Sequence, residues 1–263
     1  AMIWALAGAI RRAGGGIWEG CGVRRIVIED GSVRGVELNN GDVLECPRVV
    51  LAAGVWSRRV LRSSGLDLAL KHSITHNTVV TVGRADRWNE VPSLLDGVQG
   101  VIAIPRNPGT IMAANTTGEY ESPADISERV LDTTTVELRE GGEAFREATL
   151  AQQNEVVAQL RHRYAGYDIR GVVGHWAGLL DGTPDNHPYI GPYPGVGGLW
   201  VGCGLTGYGV QRGPGVGETL AAMALGEEPR VNVAHYGLGR FDAKQDFKID
   251  LSSDNPFEGF KSA

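Results

Sequence analysis

Trp176 to Gly226 reads WAGLLDGTPDNHPYIGPYPGVGGLWVGCGLTGYGVQRGPGVGETLAAMALG. The order it predicts is strand, tight turns, strand, a loop nearly free of side chains, then a helix. Gly204, Gly207 and Gly209 stud that loop, which therefore cannot fill a core. Glycine tolerates positive φ and lets another group approach the main chain closely. A flat ring held against backbone N–H groups is one such partner, and the chemistry is expected here.

The chain has 263 residues, enough for one large core or two smaller ones. With 42% hydrophobic and 21% charged residues it reads as a globular protein. Its net charge of -6 favours neither nucleic acid nor an anionic membrane. The 38 glycines follow no G-X-Y period, so they are expected in turns and close backbone approaches. Cys21, Cys46 and Cys203 have no metal spacing and cannot all pair, which points to a reduced, cytoplasmic protein. The six histidines are scattered, so no metal site is assigned. No apolar run reaches membrane-spanning length.

Upstream, Ile3, Leu6, Ala7 and Ile10 have helical spacing, and Gly14 to Gly16 end that helix. A helix that opens the chain and one inherited from a longer chain both fit. Gly22 to Glu29 and Val33 to Asn39 read as a hairpin around Asp30-Gly31, with Asn40-Gly41 turning again. Arg48 to Gly54 is an apolar run of the kind buried on both faces of a sheet, and its Ala52-Ala53-Gly54 end is small enough for close packing. His72 to Arg84 and Val98 to Thr116 read as strands of a more polar, antiparallel sheet, and Leu150 to Tyr164 as an amphipathic helix. The expected division is 1–70 and 176–242 as two parts of one domain, 71–175 as an inserted domain, and 243–263 as a polar tail.

Gly202-Cys203-Gly204-Leu205-Thr206-Gly207 matches G-x-G-x-x-G after a predicted strand. A dinucleotide fingerprint also needs a second strand ending in an acidic residue about 20 residues on. Glu227 and Glu228 fall instead at a helix end before Pro229. A ligand-free glycine turn and a loop facing a flat ring are the other readings.

Three segments together resemble the FAD-dependent amine and amino-acid oxidoreductases of the D-amino acid oxidase, glycine oxidase and sarcosine oxidase family. They are Met2 to Ser57, ending VVLAAGVWS; TPDNHPYIG at Thr183 to Gly191, after Trp176-Ala177-Gly178; and GCGLTGYGVQRGPGVGE at Gly202 to Glu218. The resemblance implies an α/β (α+β) fold, with an incomplete Rossmann-like FAD-binding domain interleaved with a mostly antiparallel substrate-binding domain. Family members open with a strand, a G-x-G-x-x-G turn and a helix that binds the FAD pyrophosphate. That unit is expected from a separate fragment or partner chain, or is lost to truncation, or the chain is a relic. The chain alone is expected to bind FAD weakly.

The resemblance places Val23 beside the adenine, although an ordinary strand valine fits as well. It places Ala52, Ala53 and Gly54 against FAD, with tight helix packing as the alternative. Leu205, Thr206, Gly207, Tyr208, Gly209, Val210 and Gln211, after Gly204, would run along the flavin pyrimidine edge and donate N–H groups toward N1 and O2, with a helix N-terminus near Gly215 adding to them. Gly178 aligns near the position of a flavin-linked cysteine, so FAD is expected to be noncovalent. Asp185 reads as a turn former, and Cys203 as a small core residue.

The implied activity is oxidation of an amine or amino acid by hydride transfer from the substrate carbon to flavin. Asn115, Leu180, Tyr208 and Gln211 are the substrate candidates, with Thr116 and Tyr120 near Asn115; Tyr208 fits simple packing nearly as well. Leu180 stands where glycine oxidases resemble Leu-Arg-Pro, so the carboxylate-clamping arginine is replaced. Gln211 stands where sarcosine oxidases carry lysine. No catalytic residue is assigned. A non-catalytic assembly subunit and a flavin-dependent 2-hydroxy acid oxidoreductase remain as alternatives.

Overall fold

The computed structural model describes residues 2–83, 91–96, 101–115 and 150–244. Arg84, Val98, Thr116, Tyr120, the 127–147 segment and the tail beyond 244 lie outside them.

Three sheets organise these residues. β1 (Val23–Glu29), β2 (Ser32–Leu38) and β3 (Val43–Glu45) form an antiparallel meander. The Asp30-Gly31 turn closes its first hairpin, both residues at positive φ, as the Asp-Gly pair predicts. The second sheet has the order β10 (Tyr189–Pro192), β11 (Leu199–Cys203), β4 (Val49–Leu51). β10 is antiparallel to β11, whereas β4 is parallel to it, Leu51 opposite Val201. The third has five antiparallel strands in the order β6 (Leu94–Asp96), β7 (Val101–Pro105), β8 (Thr110–Asn115), β5 (Lys71–Val82), β9 (Ile169–Gly182). The mixed α/β class with mostly antiparallel strands agrees with the sequence.

Period-two alternation sorts the large sheet. Thr78, Val80, Val101, Ala103, Ile111 and Ala113 are buried on one face, where α3 (Leu150–Arg163) packs with Val156, Val157 and Leu160. On the other face Gly178 and Leu180 are half-buried. β9 crosses residues 175 and 176 unbroken and pairs with β5 from Ile169 to Gly182. The sheet of the inserted unit thus runs into the glycine-rich stretch.

A second core joins the other two sheets: Ile26 and Val33 meet Leu51, Tyr189, Leu199, Val201 and Cys203, with Val60 and Leu61 from α2 (Ser57–Ser63). Cys203, 1% exposed, is a small core residue as expected. α4 (Gly209–Leu225) covers β10 and β11 through Val216, Leu220 and Met223. It can lie so close because Gly202 has no Cβ: one added there would fall 2.6 Å from Leu220 Cδ1 and 3.1 Å from Val216 Cγ1. Gly202→Ala is expected to cost about 1–2 kcal/mol through overpacking, read as a lower urea midpoint with unchanged m-value.

Several expectations are corrected. The Arg48–Gly54 run is strand only at Val49–Leu51, and Val50 is 43% exposed. β4 lies at a sheet edge, and a 3-10 turn over Gly54–Trp56 turns the chain into α2. The Val98–Thr116 stretch holds two strands, β7 and β8, joined by a turn that Gly109 makes at φ 81°. α4 begins at Gly209 rather than near Gly215; its packing on Gly202 outweighs the low helix propensity of its glycines and Pro214. Among the described residues no strand follows α4, so Gly202–Gly207 does not open a βαβ unit. α1 (Met2–Arg12) forms as the spacing predicts, but none of its residues is buried.

Candidate cofactor site

β4 and β11 run parallel, so their carboxyl ends open on the same side. Open α/β sheets bind ligands in that position. Ala52–Gly54 leave the end of β4, and Gly204 leaves the end of β11. The Gly54–Trp56 turn packs beside both β9 and β11, bringing the two small-residue segments to one crevice. Gly54 has φ 53°, and a Cβ added to it would meet no atom within 4 Å. Ala52 is exposed and Ala53 half-buried. Gly54 thus borders open space, whereas Ala53 packs against the core that holds Leu51 and Tyr189.

The loop after β11 is held from below. Gly204 is buried at φ 73°, and its N–H donates to the Asp181 carboxylate at 2.6 Å. Thr206, 4% exposed, has φ 49°, a strained region for a β-branched residue. Its N–H donates to the Asp181 carbonyl at 3.0 Å, and its hydroxyl donates to the Gly204 carbonyl at 3.2 Å. Beyond this anchor the ribbon is open: Gly207 and Gln211 are exposed, Val210 is 69% exposed, and Leu205, Tyr208 and Gly209 are half-buried. Tyr208 donates its N–H to Leu205, and its ring lies under the Arg212 guanidinium, 4.7 Å away. Among the described residues, the N–H groups of Gly207, Gly209, Val210 and Gln211 meet no backbone acceptor. The last three are orphan donors of the first turn of α4, where no acidic side chain offsets the helix dipole. A row of N–H donors without backbone acceptors, near the open space at Gly54, suits the edge of a flat, acceptor-rich ring.

β9 brings its own face to the ribbon. Leu180 Cδ2 lies 3.7 Å from the position of a Cβ on Gly207, and Gly178 lies against Thr75 Cγ2. Leu180 therefore meets the 204–211 ribbon, and Gly178 lies two residues before it on the same face of β9. Two candidates stand elsewhere. Val23 begins β1, opposite Leu38 in the meander, and is 39% exposed. Asn115 ends β8 opposite Val101, with β5 between β8 and β9; its side chain is outside the description.

Under the ribbon lies a polar cluster. His72 faces Asp181 across the β5–β9 register and is 3% exposed. Burial pushes its pKa below the ordinary histidine value, against the pull of Asp181, so it stays neutral near pH 7. Burial pushes the Cys203 thiol far up, so it stays protonated. Asp185 forms the expected turn, accepting the His187 N–H at 3.1 Å. It also takes two bonds from Arg240, Nε and Nη2 each at 3.0 Å. His187 packs edge-on to His235 with ring centroids 5.1 Å apart, and His175 faces Thr78 across the sheet. No group of three metal-ligating side chains occurs among the described residues. No helix there is long and apolar enough to cross a membrane.

Asp181 and Arg240 escaped the sequence reading. The signal for Asp181 was an acid ending the apolar Gly178–Leu180 run; Arg240 is 55 residues from its partner and left none.

The chain matches the family model described as DAO, FAD dependent oxidoreductase, over residues 1–223. It belongs to that family, whose cofactor is FAD. It is similar to the glycine oxidase of Pseudomonas putida, 32% identical over 221 residues, covering 83% of this chain and 52% of that protein. It is also similar to the mitochondrial sarcosine dehydrogenase of Homo sapiens, 28% identical over 242 residues, covering 90% of this chain and 25% of that protein. L-proline dehydrogenase from P. horikoshii shares the fold, with TM-score 0.73 and 19% identity over 90% of this chain and 58% of that one. The chain spans about half the length of the glycine oxidase it matches.

Proposed function

We propose that this protein takes part in the oxidation of an amine or amino acid, with FAD held noncovalently at the carboxyl ends of β4 and β11. The observation that supports this reading best is the row of free N–H groups at Gly207, Gly209, Val210 and Gln211. Ala52, Ala53 and Gly54 would lie along the cofactor where side chains would collide with it, and Val23 beside its adenine end. Gly178 offers no thiol, so nothing at that position links covalently to the ring.

When bound, FAD supplies the two-electron acceptor for the substrate's C–H bond. The chain's own residues do the rest. Four N–H donors and the N-terminus of α4 stabilise negative charge along one edge of the site. Leu180, Tyr208 and Gln211 would line the substrate side, orienting a neutral amine. A titration of the protein with FAD, followed by anaerobic mixing with small amines, tests this. Binding followed by bleaching of the flavin absorbance is expected; absence of both would contradict it.

A further segment or partner chain is proposed to supply the pyrophosphate-binding strand, turn and helix. Two features support this. Met2, Ile3, Trp4, Leu6 and Ile10 on α1 are all at least 43% exposed, and among the described residues β4 leaves one edge unpaired. Bare apolar surface of that kind marks an interaction site. Association of this chain with such a polypeptide, and tighter FAD binding by the pair, would be seen by sedimentation and fluorescence.

Leu180 approaches the ribbon from β9, 3.7 Å from the position of a Cβ on Gly207. Leu180→Arg would add a bidentate carboxylate donor, worth about 1.5–3 kcal/mol. The ratio of kcat/KM for an α-amino acid to that for an amine without a carboxylate is expected to rise at least tenfold. An unchanged ratio would remove Leu180 from the substrate site.

A further inference from the structure

We propose that Asp181 is a positioning residue that sets the direction of the free N–H row, and through it the grip of the site on the flavin. The proposal rests on the flavin reading above. Gly204, Thr206 and Gly207 all have positive φ. A chain bent this way persists only where its surroundings over-determine it. Asp181 supplies that constraint from both its groups. Its carboxylate takes the Gly204 N–H at 2.6 Å, and its carbonyl takes the Thr206 N–H at 3.0 Å. The first of these is a bond to a carboxylate, the stronger kind, and it is shielded, since Asp181 is 8% exposed. Thr183 Cγ2 and Leu70 Cδ2 crowd the Cα of Gly204, at 2.5 and 3.3 Å from the position of a Cβ. The residue before Asp181 is Leu180, which faces Gly207. One strand end thus fixes the start of the ribbon and touches its middle.

The surroundings of Asp181 give it an electrostatic part as well. His72, opposite in the register, is buried, and its Nε2 has no hydrogen-bond partner among the described residues. It is held neutral by burial and cannot offset the carboxylate. Arg58 is committed to Asp67 at 2.7 Å, and Arg240 to Asp185. The Asp181 charge therefore acts beneath the donor row and opposes negative charge gathered above it. Asparagine would keep an acceptor for the Gly204 N–H and remove the charge. Alanine would remove both.

The test compares the wild-type protein with Asp181→Asn and Asp181→Ala. FAD affinity is read by fluorescence quenching, the midpoint potential of the bound flavin by dye equilibration, and apo stability by urea. With FAD bound to the wild type, Asp181→Ala is expected to weaken binding at least thirtyfold. Asp181→Asn is expected to bind within about threefold of wild type and to shift the midpoint potential to more positive values. Three results would overturn the proposal. Wild-type affinity and potential in both variants would show that Asp181 does not position the ribbon. Losses that merely track urea stability would make Asp181 a structural residue only. Failure of the wild type itself to bind FAD would sink the flavin reading, and this proposal with it, and is told apart by needing no variant.

Discussion

Gly54→Leu is expected to weaken FAD binding at least a hundredfold while the protein stays folded. Gly54 adopts φ 53°, and a Cβ added there finds nothing within 4 Å. The substitution therefore meets no packed neighbour. Its structural cost is the left-handed backbone alone, about 1–2 kcal/mol, which a typical domain survives. The leucine would then project from the end of β4 into the crevice beside β11 and β9. Gly54→Ala separates the two effects, since it carries the same backbone cost with little added volume. Alanine is expected to lower the urea midpoint as leucine does, yet to keep most of the FAD affinity. Fluorescence titration and far-UV circular dichroism on both variants check this. Equal FAD binding by glycine and leucine at position 54 would place the cofactor elsewhere.

Arg240→Ala is expected to give the largest loss of stability outside the hydrophobic core, about 2–4 kcal/mol. Arg240 ties the 3-10 turns Ala234–Tyr236 and Leu238–Arg240 to the β9–β10 connection. It makes two bonds to Asp185, reaches the carbonyls of Tyr236, Gly237 and His187, and lies 4.1 Å over the Tyr189 ring. The side chains of the pair are only 15% and 25% exposed, so solvent screens them weakly. Alanine would strand the Asp185 carboxylate and several carbonyls. For a chain of this size the melting temperature is expected to fall roughly 5–15 °C.

The same pair gives the pH dependence its sign. Burial alone would raise the Asp185 pKa, but hydrogen bonds from Arg240, the His187 N–H and the Thr183 hydroxyl hold it below the ordinary aspartate value. A carboxyl depressed in the folded state contributes stability above its unfolded pKa, near 4. That contribution is lost as pH falls through the folded value. Urea midpoints should drop on acidification below about pH 4, and Arg240→Ala should drop less, having lost that contribution already. A parallel decline in both proteins would contradict the assignment.

Local chemistry was legible in the sequence wherever neighbouring residues decide the structure. Asp30-Gly31 closed its hairpin, Leu150 to Tyr164 gave its helix, and the glycines after Cys203 gave a loop at positive φ. Family membership was legible too, from three motifs in order. The failures have one physical cause: partners distant along the chain. Nothing local shows that Val49–Leu51 would be an edge strand with Val50 turned outward. The helix start at Gly209 depends on the fit of Val216 and Leu220 over Gly202, and packing there prevails over propensity. Asp181 holds a backbone N–H 23 residues away, and Arg240 a carboxylate 55 residues away. Their identities carry no period or motif. The ribbon could be seen as bare, but what bends it could be seen only once β9 stood beside it.

The most direct measurement of the central claim is amide hydrogen exchange along 204–212, with and without millimolar FAD. Protection on adding FAD is predicted at Gly207, Gly209, Val210 and Gln211, whose N–H groups are free, and little change at Gly204 and Thr206, whose N–H groups Asp181 already holds. FAD bound while those four amides exchange as fast as before would contradict the account.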